Sequence, residues 1–131
     1  MEKILVCDDS KNVRLILSKW LKKKSEVILT EDGKMALREF HSAHKSDKPF
    51  TLALIDLSMP EMDGEEAITH IRQYEEAADI FDYLKIIVLT AEESKGVALR
   101  LFKRNIDHFI SKPLEKETFK NTMHKLNFHL D

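Results

Sequence analysis

The chain has 131 residues, of which 43% are hydrophobic and 34% are charged, and its net charge is -2. This length and composition predict one globular domain spanning 1–131, and the balanced charge argues against nucleic acid or an anionic membrane as a partner. The single cysteine, Cys7, excludes an intramolecular disulfide. No apolar run approaches the roughly 18 residues of a membrane span, and the first run is too short for a secretory signal, so we expect a cytoplasmic protein.

Short apolar runs alternate along the chain with segments of helical periodicity. The runs predict five strands, at 4–7, 27–29, 52–55, 86–89 and 109–110, and the first run is typical of a strand that is buried on both faces. Apolar residues at helical spacing predict five amphipathic helices, the first around 13–21 and the last from Phe119 nearly to Asp131. Five strand–helix repeats predict an α/β fold, a doubly wound parallel sheet with helices on both faces. Ligands of such sheets bind at the carboxyl ends of the strands.

Acidic residues follow the first strand and end the third. Asp8 and Asp9 come directly after the first strand, where they could cap the next helix or supply oxygen ligands to a hard cation such as Mg²⁺. Asp56 follows the third apolar run, either as a solvated turn residue or as a carboxylate nucleophile, a role that aspartate has in phosphoryl chemistry. The segment 58–64 predicts a tight loop, with Asp63 as a cap of the third helix.

Two further polar side chains lie at the ends of the fourth and fifth strands. Thr90 is either an ordinary β-branched strand residue or a hydroxyl that binds an anion. Lys112 is either a solvated charge or a cation at the edge where the carboxyl ends converge, and its bond to Pro113 could be cis. Each residue alone has an ordinary structural explanation. Together they bring carboxylates, one nucleophile, one hydroxyl and one ammonium group to one edge of the sheet.

These motifs closely resemble the receiver domain of two-component response regulators, in particular the stand-alone type that is similar to chemotaxis response regulators. The matching residues are Asp8-Asp9, Asp56, Met59-Pro60, Asp63-Gly64, Thr90-Ala91 and Lys112-Pro113. They occur in the family's order and cover essentially the whole chain. The resemblance implies a flavodoxin-like, five-stranded sheet of order 2-1-3-4-5 flanked by five helices.

The resemblance also implies a function in phosphorelay signalling. A histidine kinase or histidine phosphotransfer protein is expected to donate a phosphoryl group to Asp56 in a Mg²⁺-dependent reaction. Lys112 is expected to pair with the phosphoryl oxygens, and Thr90 to turn its hydroxyl towards them. Phe109 matches the family's aromatic switch position. The domain would catalyse its own phosphorylation and dephosphorylation and would turn over no external substrate, so it is not expected to be an enzyme.

A magnesium site is implied by the same resemblance. Asp9 and Asp56 are expected to bind Mg²⁺ through their carboxylates, Asp8 through water, and Ser58 through its main-chain carbonyl. Three carboxylates in one pocket repel each other, and a divalent cation relieves the repulsion. Ser58, two residues after the acceptor, and Glu92, two residues after the hydroxyl position, would flank the phosphoryl group and tune its lifetime.

The family's usual output surface predicts contacts with a downstream protein through the fourth helix, the fifth strand and the fifth helix. The chain is expected to be a monomer or a phosphorylation-dependent dimer. Met1 just before the first strand fits a natural start, although excision from a larger protein such as a hybrid kinase stays open. The stretch from Glu75 to Leu84 is longer than a minimal connection, and an extra helical turn packed on the body is favoured over a partner site.

Three other functions are less well supported. A haloacid-dehalogenase-like phosphatase normally has a second Asp two residues after its nucleophile, where this chain has Ser58. A flavodoxin-like cofactor binder is disfavoured because the acidic cluster would repel a flavin phosphate, and the three glycines form no phosphate-binding loop. A receiver-like binding module that works without phosphorylation would not need the full acidic set.

Two other clusters have structural explanations. His41 and His44 are spaced for a shared metal on a helix, but no third ligand is evident nearby, so they are predicted to be structural or solvated histidines. The lysines at 22–24 are predicted to end the first helix, where cations complement its dipole.

Overall fold

The computed structural model describes residues 1–91 and 95–130, and within them it has the predicted doubly wound α/β architecture. The elements are β1 Glu2–Cys7, α1 Lys11–Leu21, β2 Ser25–Thr30, α2 Gly33–Lys45, β3 Leu52–Asp56, α3 Gly64–Ala77, β4 Lys85–Thr90, α4 Lys95–Leu101, a 3₁₀ turn Phe102–Arg104, β5 His108–Ser111 and α5 Lys116–Lys125. The strands form one sheet in the order β2-β1-β3-β4-β5. The predicted fold and strand order are confirmed.

The parallel register aligns the carboxyl ends of the strands. Cys7, the last residue of β1, pairs with Ile55, so the residues that follow it lie beside the end of β3 at Asp56. Thr90, the last residue of β4, pairs with Ser111, the last residue of β5. The polar residues that follow these strands are therefore gathered at one edge of the sheet, as the fold class requires.

Two apolar cores hold the helices on opposite faces of the sheet. Alternate residues of the central strands face opposite sides, because successive side chains of a strand alternate. One core packs α2, α3 and α4 against Leu5, Cys7, Ala53, Ile55, Ile86 and Val88. The other packs α1 and α5 against Ile4, Val6, Leu52, Leu54, Ile87 and Leu89. The strands β1, β3 and β4 are thus buried on both faces, as the continuous apolar run of the first strand predicted for β1.

Three helices begin at side-chain caps. Ser10, Asp32 and Asp63 each accept a hydrogen bond from the amide three residues later, at 3.3, 2.9 and 2.9 Å. Such caps satisfy amides that lack a partner within the helix. The prediction for Asp63 is confirmed. The alternative that Asp8 or Asp9 caps α1 is wrong, because Ser10 has that role.

Helices α2, α3 and α5 end in the same way. Asp47, Asp79 and Asn127 have left-handed backbones with φ of 61°, 54° and 67°. The amide after each of them bonds to the carbonyl five residues earlier, which closes the helix. In α5 this turn sends Phe128 back into the core. The prediction that the last helix reaches nearly to the end of the chain is therefore wrong, because it ends at Lys125.

The connection between α3 and β4 differs in part from its prediction. Helix α3 continues to Ala77, and Leu84 packs in the core, but the intervening residues form a loop instead of a further helical turn. Phe81 is 83% exposed, so this part of the connection does not pack on the body. Within 1–91 and 95–130, no helix combines the length and apolarity needed to cross a membrane.

Glu75 anchors this connection from inside. Its side chain is 1% exposed, and both of its oxygens are bonded: Oε1 lies 2.7 Å from Nη1 of Arg72, and Oε2 accepts a 2.6 Å bond from the Leu84 amide. Arg72 also donates to the carbonyls of Arg104 and Asn105, at 2.9 and 2.8 Å. The network ties α3, the start of β4 and the turn before β5 together.

Candidate functional site

Three carboxylates converge at the carboxyl edge of the sheet. Asp8 follows β1 and is fully buried, Asp56 ends β3 and is 5% exposed, and Asp9 is exposed. One oxygen from each of them lies within 4.8 Å of the others. The neighbouring positions of β1 and β3 in the sheet produce this convergence.

Lys112 brings the only ammonium group that pairs with these carboxylates among the described residues. Its Nζ lies 2.9 Å from Oδ2 of Asp8 and 3.4 Å from Oδ2 of Asp56. Its amide donates a 2.8 Å bond to the Thr90 carbonyl, which continues the pairing of β4 and β5. The bond between Lys112 and Pro113 is cis, as the sequence allowed. One cation thus faces three acids, so the cluster keeps an excess of negative charge.

Burial and mutual repulsion perturb this cluster. Burial raises the pKa of Asp56, and the Asp8 charge raises it further. The Lys112 charge and a 3.3 Å bond from the Ser58 amide lower the pKa of Asp56 again, but only in part. Burial alone would lower the pKa of Lys112, but its bond to Asp8 and the charges of both acids raise it overall. The cluster therefore favours the charged form of Lys112, whereas ionisation of Asp56 is less favourable than that of a solvated aspartate.

The cluster fits a divalent cation. Oδ1 of Asp8 accepts a 2.9 Å bond from the Ser10 amide, and the partner of its buried Oδ2 among the described residues is the Lys112 ammonium 2.9 Å away. Because Asp56 shares that ammonium group, one cation serves two carboxylates. One oxygen of each carboxylate lies within 4.8 Å of the others, which is close enough for one small cation to be held directly or through water. An oxygen-rich, under-neutralised set of this kind suits a hard cation.

The predicted switch residues Thr90, at the end of β4, and Phe109, in β5, have different surroundings. Thr90 is fully buried, and its Oγ1 donates a 2.9 Å bond to the Ala91 carbonyl. Phe109 is half-buried, and its ring meets that of Phe102 edge-on at 5.8 Å between centroids. The structure therefore gathers Asp8, Asp9, Asp56 and Lys112, whereas Phe109 packs on the 3₁₀ turn. Ser58 is exposed two residues after Asp56, and Glu92 lies outside the described residues.

Arg14 supports the site and was missed in the sequence. Its Nη1 donates a 2.9 Å bond to the main-chain carbonyl of Asp8, and its Nη2 pairs with Glu31 at 3.1 Å. It thereby links the loop after β1 to the loop after β2. The available signal was its position near the start of α1, where the helix dipole disfavours a cation that has no specific partner.

Two glycines let the loop after β3 approach the sheet. A Cβ on Gly64 would collide with the Asp56 carbonyl oxygen and would lie 2.8 Å from Cα of Leu57. A Cβ on Gly33 would lie 2.5 Å from the Met62 carbonyl oxygen, which accepts a 2.9 Å bond from the Gly33 amide. Close backbone approach thus requires glycine at both positions.

The chain is similar to receiver domains of known proteins. Residues 4–124 match the family model described as response regulator receiver domain. The chain is 34% identical over 131 residues to probable histidine kinase 4 of Oryza sativa subsp. japonica, with 87% of this chain and 13% of that protein covered. It is 30% identical over 114 residues to hybrid signal transduction histidine kinase I of Dictyostelium discoideum, with 86% of this chain and 6% of that protein covered. The chain thus spans only a small part of each kinase.

Solved structures share the fold. The non-phosphorylated HemR receiver domain from Leptospira biflexa has a TM-score of 0.80 at 22% identity, with 96% of this chain and 94% of that chain covered. A CheY-like response regulator receiver domain protein from Methanospirillum hungatei has a TM-score of 0.77 at 20% identity, with 96% and 93% covered.

Proposed function

The chain belongs to the response regulator receiver domain family, and from this premise we propose that it is a phosphoacceptor switch in which Asp56 receives the phosphoryl group. The observation that carries the assignment is the cluster of three carboxylates within 4.8 Å of one another, with Lys112 beside two of them. Asp8 is fully buried, and among the described residues no ammonium group pairs with Asp9. Asp56 combines slight exposure with a lysine 3.4 Å away.

The transfer needs a nucleophile and neutralised charge. A carboxylate oxygen of Asp56 attacks the phosphorus of a phosphohistidine, an O–P bond forms and the P–N bond breaks. The electron pair stays on the departing imidazole nitrogen, which takes a proton from solvent. Positioning and electrostatic stabilisation dominate such reactions, because the transition state spreads negative charge over the phosphoryl oxygens.

The acidic cluster would hold the metal cofactor of this reaction. Mg²⁺, when bound, supplies positive charge next to the phosphoryl oxygens. Asp9 and Asp56 would bind it through their carboxylates, Asp8 through water and Ser58 through its carbonyl. The excess of negative charge in three carboxylates that share one ammonium group supports this assignment.

The switch would begin with two rearranged side chains. Lys112 would leave Oδ2 of Asp56 and pair with the phosphoryl oxygens. Thr90 would exchange its 2.9 Å bond to the Ala91 carbonyl for a bond to the phosphoryl group. Phe109 would respond on the neighbouring strand, where its only close aromatic partners in the described chain are Phe102 and His108. The phosphoryl group would thereby bias a two-state equilibrium by differential binding.

Signal decay would be a property of the domain itself. Water attacks the phosphorus of the aspartyl phosphate, the O–P bond to Asp56 breaks, and inorganic phosphate leaves. Ser58, which is exposed two residues after Asp56, would help to set the lifetime of this group. The domain would therefore be a self-acting switch and not an enzyme with an external substrate.

The partners follow from the same proposal. A histidine kinase or a histidine phosphotransfer protein would be the phosphodonor, in keeping with the kinase relatives. Output to a downstream protein would use α4, β5 and α5. Leu99 of α4 is 59% exposed, and Phe102 of the adjoining 3₁₀ turn is 43% exposed. We expect a cytoplasmic domain that spans 1–131, is monomeric or dimerises on phosphorylation, and binds no nucleic acid or membrane.

Intact-mass measurement tests the proposal. The chain is incubated with acetyl phosphate with and without Mg²⁺, in parallel with Asp56→Asn and with the matched variant Asp63→Asn. One added phosphoryl group is expected in the wild type and in Asp63→Asn, only with Mg²⁺, and none in Asp56→Asn. An adduct that persists in Asp56→Asn would refute the assignment.

A short-lived adduct is addressed by a stable analogue. Beryllofluoride with Mg²⁺ is expected to change the tryptophan fluorescence or the NMR spectrum of the wild type but not of Asp56→Asn. If a folded wild-type sample gives neither a mass adduct nor a beryllofluoride response, the protein is a phosphorylation-independent binding module.

A further inference from the structure

A groove lined by five lysines lies between α1 and α5. Its lining consists of Lys19, Trp20, Lys23, Lys24, Lys116, Lys120 and Leu130, with no carboxylate among these described residues. The whole chain has a net charge of -2, so the groove is a local concentration of positive charge and not the face of a basic protein. We propose that this groove docks an acidic protein segment that carries an apolar anchor side chain.

The fold assembles the lysines from two distant parts of the chain. Lys19 lies in the last turn of α1, and Lys23 and Lys24 follow the end of that helix. Lys116 and Lys120, one helical turn apart, line the groove from α5. From the sequence, only the lysines that follow α1 have an explanation, because positive charges at the end of a helix complement the helix dipole. The lysines of α5 have no such explanation, because they lie in its amino-terminal half, where the dipole disfavours cations.

Four of these lysines are exposed on the same surface, namely Lys19, Lys23, Lys24 and Lys116. Charges of one sign that are gathered on one surface repel each other. An acidic partner would relieve this repulsion, so the charge pattern of the groove is complementary to carboxylates.

The apolar part of the groove belongs to the core beneath it. The Trp20 ring lies 5.2 Å from that of Phe119 and is tilted by 36°. Trp20 and Leu130 are only half-buried, and both pack against the core between the sheet and α1 and α5. A Leu or Phe side chain of a partner would bury the remaining surface of this pair, which is how anchor residues stabilise interfaces.

Other anionic partners fit this surface less well. Single-stranded nucleic acid uses several aromatic platforms, whereas Trp20 is the one aromatic residue in the lining and already packs on Phe119. A membrane needs apolar side chains that protrude beyond the charges, whereas here the apolar surface is continuous with the core. Long lysine side chains around an apolar floor match an acidic helix with an anchor residue.

Trp20 makes the test local, because it is the only tryptophan in the chain. The probe is a tryptophan-free helical peptide of about 16 residues, rich in Glu, with Leu and Phe on one face. Two matched peptides replace Leu and Phe by Ala, or Glu by Lys. The acidic anchored peptide is expected to change Trp20 fluorescence saturably and to bind more weakly as salt rises. The alanine peptide is expected to bind about tenfold more weakly, and the basic peptide not at all.

Charge-matched variants locate the binding. Lys19→Gln, Lys23→Gln and Lys116→Gln together are expected to weaken the peptide at least about tenfold. The control combines Lys45→Gln, Lys48→Gln and Lys103→Gln, which removes equal charge outside the groove and is expected to leave affinity within about twofold. Circular dichroism checks that both variants fold. The assay contains no Mg²⁺ or phosphodonor, so its result is independent of phosphorylation at Asp56.

Three results would overturn the proposal. The first is the absence of saturable binding of the acidic peptide at about 1 mM. The second is equal affinity in the groove variant and the control. The third is tighter, groove-dependent binding of single-stranded DNA or phosphatidylserine vesicles than of the peptide, which would assign the groove to those ligands instead.

Discussion

Glu75 and Asp56 are both buried carboxylates, but their surroundings differ. Both oxygens of Glu75 are bonded, one to Arg72 and one to the Leu84 amide. Asp56 shares a single ammonium group, that of Lys112, with Asp8. Burial raises the pKa of Asp56, and the charge of Asp8 raises it further. A fully bonded acid holds elements together, whereas an incompletely neutralised acid keeps unused capacity to bind a cation or react.

The largest expected effect is on the bonded acid. Glu75→Ala should lower the free energy of unfolding by about 3–5 kcal/mol, because it leaves Arg72 and the Leu84 amide without their buried partner. Urea denaturation measures the loss. The exposed neighbour provides the control, since Glu76→Ala should stay within about 0.5 kcal/mol of wild type. Equal denaturation midpoints for the two variants would contradict the claim that the bonds of Glu75 stabilise the fold.

The second effect concerns Cys7, the last residue of β1, which directly precedes Asp8. Burial raises the pKa of Cys7 to about 12, with smaller contributions from the charges of Asp32, Asp8 and Asp56. The native thiol should therefore react with iodoacetamide at neutral pH at least about 100-fold more slowly than the urea-unfolded chain. Mass spectrometry over time follows the alkylation. Comparable rates in both states would mean that this end of β1 is open to solvent.

A smaller effect of opposite sign is expected at the acceptor. In metal-free protein at neutral pH, Asp56→Asn should raise the free energy of unfolding by about 0.5–2 kcal/mol, because it removes a charge that burial and Asp8 disfavour. The sign follows from the raised pKa: the folded state binds the proton more tightly, so wild-type stability falls as pH rises from the unfolded pKa through the folded one.

Magnesium separates this explanation from a general packing effect. Mg²⁺ should stabilise the wild type more than Asp56→Asn in thermal melts, because the variant has lost one proposed ligand. A variant that is less stable than wild type without metal would show that the Asp56 charge is not a liability in the folded state.

The smallest effect lies in a cationic region on another part of the molecule. Burial lowers the pKa of His41, and the charges of His44, Lys45 and His70 lower it further. The folded state therefore binds fewer protons than the unfolded one, and stability should be lost as pH falls from the unfolded pKa through the folded one. Because the site is largely solvated, we expect only roughly 0.3 kcal/mol, and His41→Gln should flatten the profile between about pH 7.5 and 5.5. An unchanged profile would contradict this explanation.

Local patterns predicted the strands, the helices and the edge of the sheet at which the candidate site residues meet, whereas the strand order came from the family resemblance. Apolar runs identified the strands, and the parallel fold class then brought Asp8, Asp56 and Lys112 to one edge. Where distant partners decide, the sequence was insufficient. In the sequence Glu75 resembles an exposed helical charge, because its partner, the Leu84 amide, lies nine residues away and is recognised only in the structure. The end of α5 was missed because Asn127 tolerates a left-handed backbone without requiring one.

The lysine groove has the same origin as these misses. The residues after α1 and those of α5 are about a hundred positions apart, and only the packed sheet brings them together. Arg14 is a further example, because its partner is the main-chain carbonyl of Asp8, which no side-chain pattern reveals.

Gly64 has a consequence for how mutational scans of this protein are interpreted. Any side chain at this position would collide with the carbonyl oxygen of Asp56 itself. In a library selected for signalling, substitutions at position 64 would therefore be rejected as strongly as substitutions of Asp56, the proposed acceptor, although glycine offers no functional group. Yield of folded protein would distinguish them, because Asp56→Asn should accumulate normally whereas Gly64→Ala should not. In this domain, a position can be intolerant to substitution because the backbone of Asp56 needs the space beside it, and not only because its own side chain takes part in the chemistry.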